Sequence, residues 1–534
     1  MARKIALLVC VILLTVTHAQ QRSKTDFDGK SWWDHVKVLA ANDMEGRETG
    51  STGLRKAEAY VVEQLKGAGL EPAGTEGFYQ PIKFISRQII ETESSAALLR
   101  PGSTEPLTLG VDAIFSTRAD LAPHVEAQLV FIGYGLSIPE QHYDDLADLD
   151  LKGKVAVLVM GSPAHIPAPL ASHYQTTKER WQALKKAGAV GIITILNPAS
   201  MDIPWSRISL NRTRPSMDLV DSEFIETEGE QLAMIFNPAR AEKLFKGSGH
   251  SFGELAELAK DRKPLPRFAL PVSVNAKTKV EKKTVESANV VAKLVGADPH
   301  LKNDYVVLSA HVDHLGIGEP INGDRVYHGA MDNASGTAVL LDVAASLEKS
   351  SIRPKRSLLF LFVTAEEKGL LGSKYFVAHP TVGAHSIVAD INVDMFLPIY
   401  PLKVLTVYGV QESDLGDMAR DVAQNRGTSV QADPEPLRNG FIRSDQYNFI
   451  AHGIPALSMS VGATTDREKD LHKQWLTDRY HAPSDDLKQP VDLSAAANYE
   501  QIVRNLMIKV ADESRRPEWK RNSFFRRYEK AAGQ

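Results

Sequence analysis

From about residue 286, short apolar runs alternate along the chain with longer runs of helical periodicity. The strand-like runs read NVVAKLVG, YVVLSAH, LLFLFVTAE, HSIVADINVD, VLTVYGV and IPALSMSVG. Helical runs such as SGTAVLLDVAASLEKS lie between several of them. This alternation predicts an α/β domain over residues 286–515, with a mostly parallel mixed sheet sandwiched by helices. In such sheets, functional residues lie beyond the carboxyl ends of the strands.

The pattern differs upstream, where it predicts a helical start followed by a separate β-rich module. SWWDHVKVLAA and LRKAEAYVVEQLKGAGL carry apolar residues at three-to-four spacing, as amphipathic helices do. From about residue 118, AQLVFIGYGL, KGKVAVLVM and VGIITIL are short apolar strands separated by polar and proline-rich segments. We therefore predict that residues 26–117 begin the main domain and that residues 118–275 form a smaller insert. The basic, aromatic tail 516–534 is predicted to be a helix on the surface.

Residues 1–19, MARKIALLVCVILLTVTHA, have the pattern of a signal peptide. A basic start precedes an apolar run that is too short for a membrane-spanning helix, and Thr17-His18-Ala19 offers a small-residue cleavage site. We therefore expect a secreted or periplasmic protein with no membrane anchor after cleavage. The one cysteine, Cys10, lies in this segment, so the mature chain would have no thiol chemistry.

Composition narrows the class of protein further. The 534 residues carry a net charge of −4, with 62 basic and 66 acidic side chains, which gives no electrostatic basis for nucleic-acid binding. An apolar content of 43% is ordinary for a soluble globular protein, and the length predicts at least two folded units. No pattern in the sequence indicates an oligomeric state.

Acidic and imidazole side chains follow the predicted strands at the edge where functional residues are expected. YVVLSA ends in His311-Val312-Asp313-His314, LLFLFVTA ends in Glu366-Glu367, and HSIVADINV ends in Asp394. Asp332 precedes a helix in HGAMDNASG, and Tyr480-His481 lie in the polar loop LTDRYHAPSDD. Each residue alone has an ordinary explanation as a helix cap, a turn residue or a surface histidine. Their common position at one side of one sheet favours a functional site.

Histidines and carboxylates without thiols are typical ligands of zinc, and of manganese or cobalt. Two ions that share a bridging carboxylate need one histidine and one terminal carboxylate each, and such a pair can activate one water. This count is met by His311, Asp332, Glu367, Asp394 and His481, which leaves one glutamate as a general base. The sequence therefore predicts a site for two divalent ions.

Five motifs occur together in the second half of the chain: SAHVDH, GAMDNASG, TAEEKGLLGS, INVDM and RYHAPSDD. In this order they resemble the di-zinc aminopeptidase family, which includes secreted bacterial leucyl aminopeptidases, plasma glutamate carboxypeptidase and glutamate carboxypeptidase II. FIGYGL, DLKGKVAVLV and KKAGAVGIITI in the insert resemble the protease-associated domain that many members carry. The resemblance implies a zinc exopeptidase fold, two zinc ions per chain and a peptide substrate.

The resemblance also implies a role for each residue of the constellation. His311 and Asp394 would bind one zinc, Glu367 and His481 would bind the other, and Asp332 would bridge the two. These five residues are the same set that the count of ligands selects.

Three further residues would act without binding a metal. By the same resemblance, Glu366 would be the general base that takes a proton from the attacking water. Asp313 would orient the ring of His311, and Tyr480 would donate a hydrogen bond to the oxyanion as the peptide carbonyl is attacked.

The chain departs from the family's pattern in FIRSDQYNFIAHGIPALSMS, where Gln446 replaces the histidine that follows Ser-Asp in many relatives. That segment lies near the substrate pocket in relatives, so the departure concerns side-chain preference and not the metal site. The polar stretch TTDREKDLHKQW could shape or cover the same pocket. Four histidines match no ligand position, and we expect them to be structural or exposed: His314, His328, His452 and His472.

These observations predict a secreted di-zinc metallo-exopeptidase that removes N-terminal residues from peptides. Alternatives on the same site are a dipeptidase, a glutamate-carboxypeptidase-like activity or a single-zinc reaction of the glutaminyl cyclase type. A metal-free receptor of this fold is disfavoured because every ligand position is intact. The serine-hydrolase pattern Gly249-His250-Ser251-Phe252-Gly253 follows a predicted helix and not a strand, which argues against a nucleophilic serine. The insert would either wall the cleft or act as a spacer.

Overall fold

The computed structural model describes residues 26–350 and 352–529. The predicted signal peptide, residues 1–19, lies outside the described residues. Among the described residues, no helix combines the length and the apolar character that a membrane crossing requires.

The helices and strands of the described residues are numbered here in chain order. The α-helices are α1 (Lys30–Leu39), α2 (Thr52–Gly67), α3 (Ala168–Tyr174), α4 (Thr177–Lys186), α5 (Trp205–Ile208), α6 (Glu242–Phe245), α7 (Phe252–Lys260), α8 (Ser335–Ser350), α9 (Leu371–Ala378), α10 (Asp414–Gln424), α11 (Gln446–Ala451), α12 (Asp466–Asp478) and α13 (Leu493–Asp512). The strands are β1 (Glu71–Pro72), β2 (Tyr79–Ile89), β3 (Ser95–Arg100), β4 (Ser103–Leu107), β5 (Ala113–Phe115), β6 (His124–Phe131), β7 (Ser137–Ile138), β8 (Tyr143–Asp144), β9 (Val155–Val159), β10 (Gly191–Ile195), β11 (Ser216–Leu219), β12 (Leu232–Phe236), β13 (Phe268–Lys277), β14 (Val280–Leu294), β15 (Tyr305–His311), β16 (Gly316–Ile321), β17 (Asp324–Tyr327), β18 (Ser357–Val363), β19 (Ile387–Asn392), β20 (Val404–Tyr408), β21 (Ser429–Gln431) and β22 (Ala456–Gly462).

The larger sheet has the strand order β11–β2–β14–β18–β15–β19–β22–β20–β21, and β1 pairs with β14. Its centre is parallel, from β18 through β15 and β19 to β22. Antiparallel strands flank this centre: β2 and β14 on one side, and β20 on the other. The α/β class and the mixed sheet therefore agree with the prediction, with the parallel pairing confined to the centre and to β20–β21.

The central strands are buried on both faces because helices cover the sheet on each side. In β18, Leu358, Phe360 and Phe362 point to one face, whereas Leu359 and Leu361 point to the other, as the two-residue period of a strand requires. Helices α1, α2, α8, α10 and α13 pack on the first face. Helices α9 and α11 pack on the second. This arrangement places the carboxyl ends of the parallel strands along one edge.

A second sheet has the order β4–β3–β13–β6–β9–β10–β12–β5 and its own hydrophobic core. Its first strand begins at Ser95, upstream of the predicted boundary at residue 118. The short strands β3 and β4 are only partly apolar and are hard to recognise from sequence. The pairing of β3 with β13, and of β4 with β3, places them in this sheet. We call residues 95–277 the second module. One strand of this module, β11, lies outside its sheet and pairs with β2 of the larger sheet.

Two sequence expectations about surface segments have clear outcomes. Ser251 caps the start of α7 by accepting a hydrogen bond from the backbone of Glu254, so it is not a strand-to-helix nucleophile. The prediction that the tail, residues 516–534, is a surface helix is wrong for residues 516–529, the part of it that the structure describes. Trp519 and Phe525 are buried against the second face of the larger sheet, because α9 and α11 alone leave apolar surface uncovered there. Phe525 itself lies in a short 3-10 helix, Phe524–Tyr528.

Candidate metal centre

The structure brings together the residues that the sequence analysis selected: His311, Asp313, Asp332, Glu366, Glu367, Asp394, Tyr480 and His481. His311 is the last residue of β15, and Asp394 follows β19 by two residues. Glu366 and Glu367 lie in the turn after β18. These three neighbouring strands are parallel, so their carboxyl ends deliver the side chains to one place.

Two loops complete the cluster. Asp332 lies in the turn Ala330–Ala334, which leads directly into α8. Tyr480 and His481 follow the end of α12, and their rings lie against each other with centroids 3.9 Å apart. His481 has a φ of 54°, a left-handed conformation that is uncommon for a residue with a side chain.

Asp332 stands between two groups of candidate ligands and gives one oxygen to each. On one side, its Oδ1 is 3.3 Å from His311 Nε2, which is itself 3.2 Å from Asp394 Oδ1. On the other side, its Oδ2 is 3.2 Å from His481 Nε2, which is 3.3 Å from Glu367 Oε2. The arrangement is that of a carboxylate that bridges two sites.

These distances fit a pair of zinc ions. Two ligands that bind one tetrahedral zinc at about 2.0–2.1 Å lie roughly 3.3 Å from each other. The four imidazole–carboxylate distances, 3.2 to 3.3 Å, have this value. The donor set of imidazole and carboxylate is also one that zinc prefers. The chemistry and the spacing of the residues present therefore fit two divalent ions that share Asp332.

The electrostatics of the cluster favour cations. Burial alone would raise the pKa of Asp332, but hydrogen bonds from His311 and His481 bring it well below its usual range. Burial would lower the pKa of His311, yet the nearby charges of Glu366 and Asp394 raise it well above its usual value. The buried acids thus outnumber the positive groups that face them, and a bound cation would relieve their repulsion.

His314 is a member of the site that the sequence analysis did not select. Its ring is fully buried, and its Nδ1 lies 2.7 Å from Glu367 Oε1, where it donates a hydrogen bond. Its Nδ1 also lies 3.9 Å from Asp332 Oδ2, so geometry alone would allow a ligand role. The 2.7 Å contact is shorter than the spacing of two ligands on one ion, so His314 orients Glu367 by a hydrogen bond. The second histidine of HVDH was the only signal for it.

Asp313 and Glu366 are linked through the backbone. The carboxylate of Asp313 accepts hydrogen bonds from the Glu366 N–H at 3.1 Å and from Thr49 Oγ1 at 3.1 Å. His311 Nδ1 is 3.1 Å from the main-chain carbonyl of Asp313 and 4.0 Å from its carboxylate. The residue predicted to orient His311 therefore meets the ring through its carbonyl, whereas its side chain holds the backbone of Glu366.

Glu366 and Tyr480 both line the cleft without taking part in either ligand group. Burial raises the pKa of Glu366 well above its usual range, and the charge of His311 opposes this shift. Burial likewise raises the pKa of Tyr480, so its phenol keeps its proton and can donate a hydrogen bond. The two groups match the general acid–base and oxyanion roles that the resemblance implies.

The cluster lies at the base of a cleft of about 1700 Å³ that both units of the protein line. Ile166, Met201 and Asp202 reach the cleft from the second module. Gln446, at the departure from the family's pattern, is fully buried; it accepts a hydrogen bond from Asn392 at 2.7 Å and donates one to a backbone carbonyl of its own loop. Gln446 therefore fixes the loop that forms one wall of the cleft.

Two of the remaining histidines have backbone partners. The ring Nδ1–H of His328 donates to the carbonyl of Ala40 at 3.1 Å, and the ring Nδ1–H of His452 donates to the carbonyl of Asn448 at 2.9 Å. His472 lies in α12 and lines the cleft. None of these three belongs to a group of potential metal ligands among the described residues.

Residues 289–507 match the sequence model of peptidase family M28. The chain carries a peptidase family M28 domain. This domain contains every residue of the cluster, and the match confirms the resemblance that the motifs predicted. The match begins only after the second module, so the assignment of that module as a protease-associated domain stays a prediction.

The curated relatives that this chain matches include both an aminopeptidase and a carboxypeptidase by name. A probable leucine aminopeptidase 2 of Aspergillus oryzae is 30% identical over 213 residues, which are 37% of this chain and 40% of that protein. Carboxypeptidase Q of Homo sapiens is 21% identical over 365 residues, 68% of this chain and 64% of that protein. The chain thus spans less than two thirds of the length of both relatives.

Solved structures extend the similarity of fold beyond the M28 domain. The aminopeptidase from Aneurinibacillus sp. strain AM-1 superposes with a TM-score of 0.56 at 21% identity, over 92% of this chain and 95% of that chain. BSAP, a zinc aminopeptidase from Bacillus subtilis, superposes with a TM-score of 0.50 at 17% identity, over 92% and 97%. The predicted zinc exopeptidase fold is confirmed.

Proposed function

We propose that this chain is a secreted or periplasmic metallo-exopeptidase that binds two zinc ions and removes N-terminal residues from peptides. The observation that carries the proposal is the position of Asp332, which gives one oxygen to each of two histidine–carboxylate groups at the base of a large cleft. The printed names of the relatives, a leucine aminopeptidase among them, support peptides as substrates. The pattern of residues 1–19 supports export.

The five ligands would hold the ions in the two groups described above. His311 and Asp394 hold one ion, His481 and Glu367 hold the other, and Asp332 is common to both. When bound, the ions supply Lewis acidity, which polarises the peptide carbonyl and activates water. Manganese or cobalt would fit the same donors.

The chain's own residues would carry the proton transfers. Glu366 takes the proton of the attacking water and delivers it to the amine that leaves. The backbone N–H of Glu366 donates a hydrogen bond to the carboxylate of Asp313, which fixes the main chain that carries the Glu366 side chain. Tyr480 donates its phenol proton in a hydrogen bond to the oxygen that gains negative charge.

The experiment compares Glu366→Gln with Glu435→Gln, because Glu435 also lines the cleft but is largely exposed and pairs with Arg438. Glu366→Gln should keep both metal ions, measured by elemental analysis after gel filtration. Its turnover should fall by about 10²- to 10⁴-fold, the usual contribution of a general base. Glu435→Gln should behave as the wild type does. Near-normal turnover of Glu366→Gln would contradict the role proposed for it.

A substrate panel decides between the exopeptidase activities. The second candidate is a dipeptidase or carboxypeptidase-like activity. It is supported by the similarity to Carboxypeptidase Q of Mus musculus, which is 21% identical over 86% of this chain. Cleavage of aminoacyl amides and of peptides with free N-termini supports the aminopeptidase. Cleavage only of dipeptides, or of N-acetylated peptides, supports the second candidate. A wild-type protein without bound metal or activity would instead be a binding protein.

A further inference from the structure

A segment of the second module crosses to the M28 domain close to the candidate metal centre. We call residues 205–219 the docking segment. Its first residue, Trp205, donates its indole N–H to the carbonyl of Gly110 in the second module at 2.9 Å. Its last part is β11, which pairs with β2 of the larger sheet. The segment is therefore anchored at both ends, one in each unit of the protein.

Arg207 of the docking segment donates hydrogen bonds to three backbone carbonyls next to the candidate ligand His481. Its guanidinium contacts the carbonyl of Tyr480 at 2.8 Å, that of Leu476 at 3.4 Å, and that of Thr477. The residues that accept these bonds are about 270 positions away along the chain. The contact therefore exists only because the second module folds against the M28 domain.

These carbonyls need an outside donor because α12 ends there. The backbone N–H groups of Arg479 and Tyr480 both turn to the carbonyl of Trp475, at 2.8 and 3.3 Å. This leaves the carbonyls of Leu476 and Thr477 to side-chain donors. The last turn of α12 contains no basic residue, so the helix does not supply its own cation at its negative end. Arg207, from another part of the chain, supplies both the hydrogen-bond donor for these carbonyls and the positive charge at the end of the helix.

Arg207 also controls the conformation of the residue that follows Tyr480. In a trans peptide the carbonyl of one residue and the N–H of the next point in opposite directions. A guanidinium that holds the carbonyl of Tyr480 therefore fixes the peptide plane that enters His481. His481 is left-handed there, with a φ of 54°, a conformation that persists only when the surroundings hold it. From this backbone its Nε2 reaches Asp332 at 3.2 Å and Glu367 at 3.3 Å.

We propose that Arg207 is a positioning residue of the metallo-exopeptidase site, through which the second module holds His481 and Tyr480 in the geometry that binds one zinc and the oxyanion. The proposal rests on the function proposed above. Arg207 itself does not line the cleft, so it acts through the loop and not on substrate. The second module therefore positions residues of the M28 site, in addition to lining one wall of its cleft.

The test compares Arg207→Met with Arg212→Met in the full-length protein. Arg212 lies in the same docking segment and makes its ion pair with Glu91, at 2.9 Å, away from α12. Zinc release from the loaded proteins to a chromophoric chelator is measured. One of the two ions should leave Arg207→Met about 10- to 100-fold faster than it leaves the wild type, the usual cost of losing a residue that orients a ligand. Arg212→Met should release both ions at the wild-type rate.

Two further measurements distinguish positioning from general destabilisation. In steady-state kinetics, kcat of Arg207→Met should fall while KM stays close to the wild-type value. In the metal-free protein, hydrogen exchange of the amides of residues 479–482 should accelerate in Arg207→Met and not in Arg212→Met. Arg207→Lys, which keeps the charge and fewer donors, should lie between the wild type and Arg207→Met in all three measurements.

Each outcome decides the proposal. If Arg207→Met releases zinc and exchanges these amides as Arg212→Met does, the proposal is overturned while the function proposed above stands. If the wild type neither binds zinc nor cleaves peptides, the proposed function fails and the positioning role fails with it. Should Arg207→Met not fold, the comparison of Arg207→Lys with the wild type decides by the same criteria.

Discussion

Arg47, in the N-terminal EGRETGSTG stretch, is fully buried beneath the candidate metal centre and binds four backbone carbonyls. Its guanidinium donates to Val312 and Gly329, both at 2.9 Å, to His328 at 2.7 Å and to Leu39 at 2.5 Å. Three of these carbonyls lie within four residues of a candidate ligand. Burial lowers the pKa of Arg47 to about 10, and nearby carboxylates oppose the shift, so the side chain is charged at neutral pH.

Arg47→Met keeps an unbranched apolar stem and removes every donor. The carbonyl of Gly329 also accepts a hydrogen bond from the N–H of Ala334 at 3.1 Å, so it keeps a donor in the variant. A buried carbonyl that loses its donor costs about 1–3 kcal/mol, so the other three carbonyls set an upper range of about 3–9 kcal/mol. Relaxation of the backbone and the relief of burying a charge offset part of this sum. Breaking a buried charged network in other proteins costs about 3–5 kcal/mol, and we expect a loss of this size. That is a large fraction of the free energy of unfolding of a typical domain, about 5–15 kcal/mol.

The assay is urea unfolding followed by tryptophan fluorescence. The matched control is Arg55→Met, because Arg55 is exposed and its hydrogen bonds, at 2.7 and 3.1 Å, reach only neighbours in sequence. The control should change the free energy of unfolding by less than about 0.5 kcal/mol. Arg47→Lys should recover a part of the loss. A difference below about 1 kcal/mol between Arg47→Met and Arg55→Met would refute the reasoning, because three buried carbonyls cannot lose their donor at so small a cost.

Two other predictions concern metal stoichiometry and pH. Asp332→Asn should lose both ions on gel filtration, whereas Asp394→Asn should keep one, because only Asp332 belongs to both groups; equal metal content in the two variants would speak against a shared ligand. Burial raises the pKa of Glu230 from 4.5 to about 8, so between these values the unfolded chain has released the proton and the folded protein retains it. Stability therefore falls as pH rises through this range, and Glu230→Gln should unfold at higher urea than the wild type by a margin that grows up to about pH 8. Identical pH dependence of the urea midpoints in the two proteins would exclude this contribution.

The candidate site shows which features of this protein could be predicted from its sequence. His311, Glu367 and Asp394 each follow an apolar run, and parallel strands bring their carboxyl ends to one edge whatever the details of packing. The sequence therefore predicted which residues meet. It did not predict that His314 would hold Glu367, because one histidine in HVDH looks like the other until the turn after β15 is folded.

The boundaries of the second module needed the tertiary structure. The strands β3 and β4 are short and only partly apolar. The pairing of β3 with β13, more than 160 residues further along the chain, identifies β3, and β4 is identified by its pairing with β3. The tail was misread for a related reason. Its basic residues suggested a surface segment, whereas Trp519 and Phe525 are buried by a face of the sheet that the local sequence does not describe.

By itself, the sequence determined the α/β class, the order of the motifs and the set of residues that converge, because these follow from local periodicity and from the geometry of parallel strands. Only the tertiary structure decided how the site is held. Arg47 reaches carbonyls about 270 positions downstream, and Arg207 reaches a loop at a similar distance. Such contacts depend on the packing of units that are far apart in the chain, and no pattern within a short window of residues encodes them.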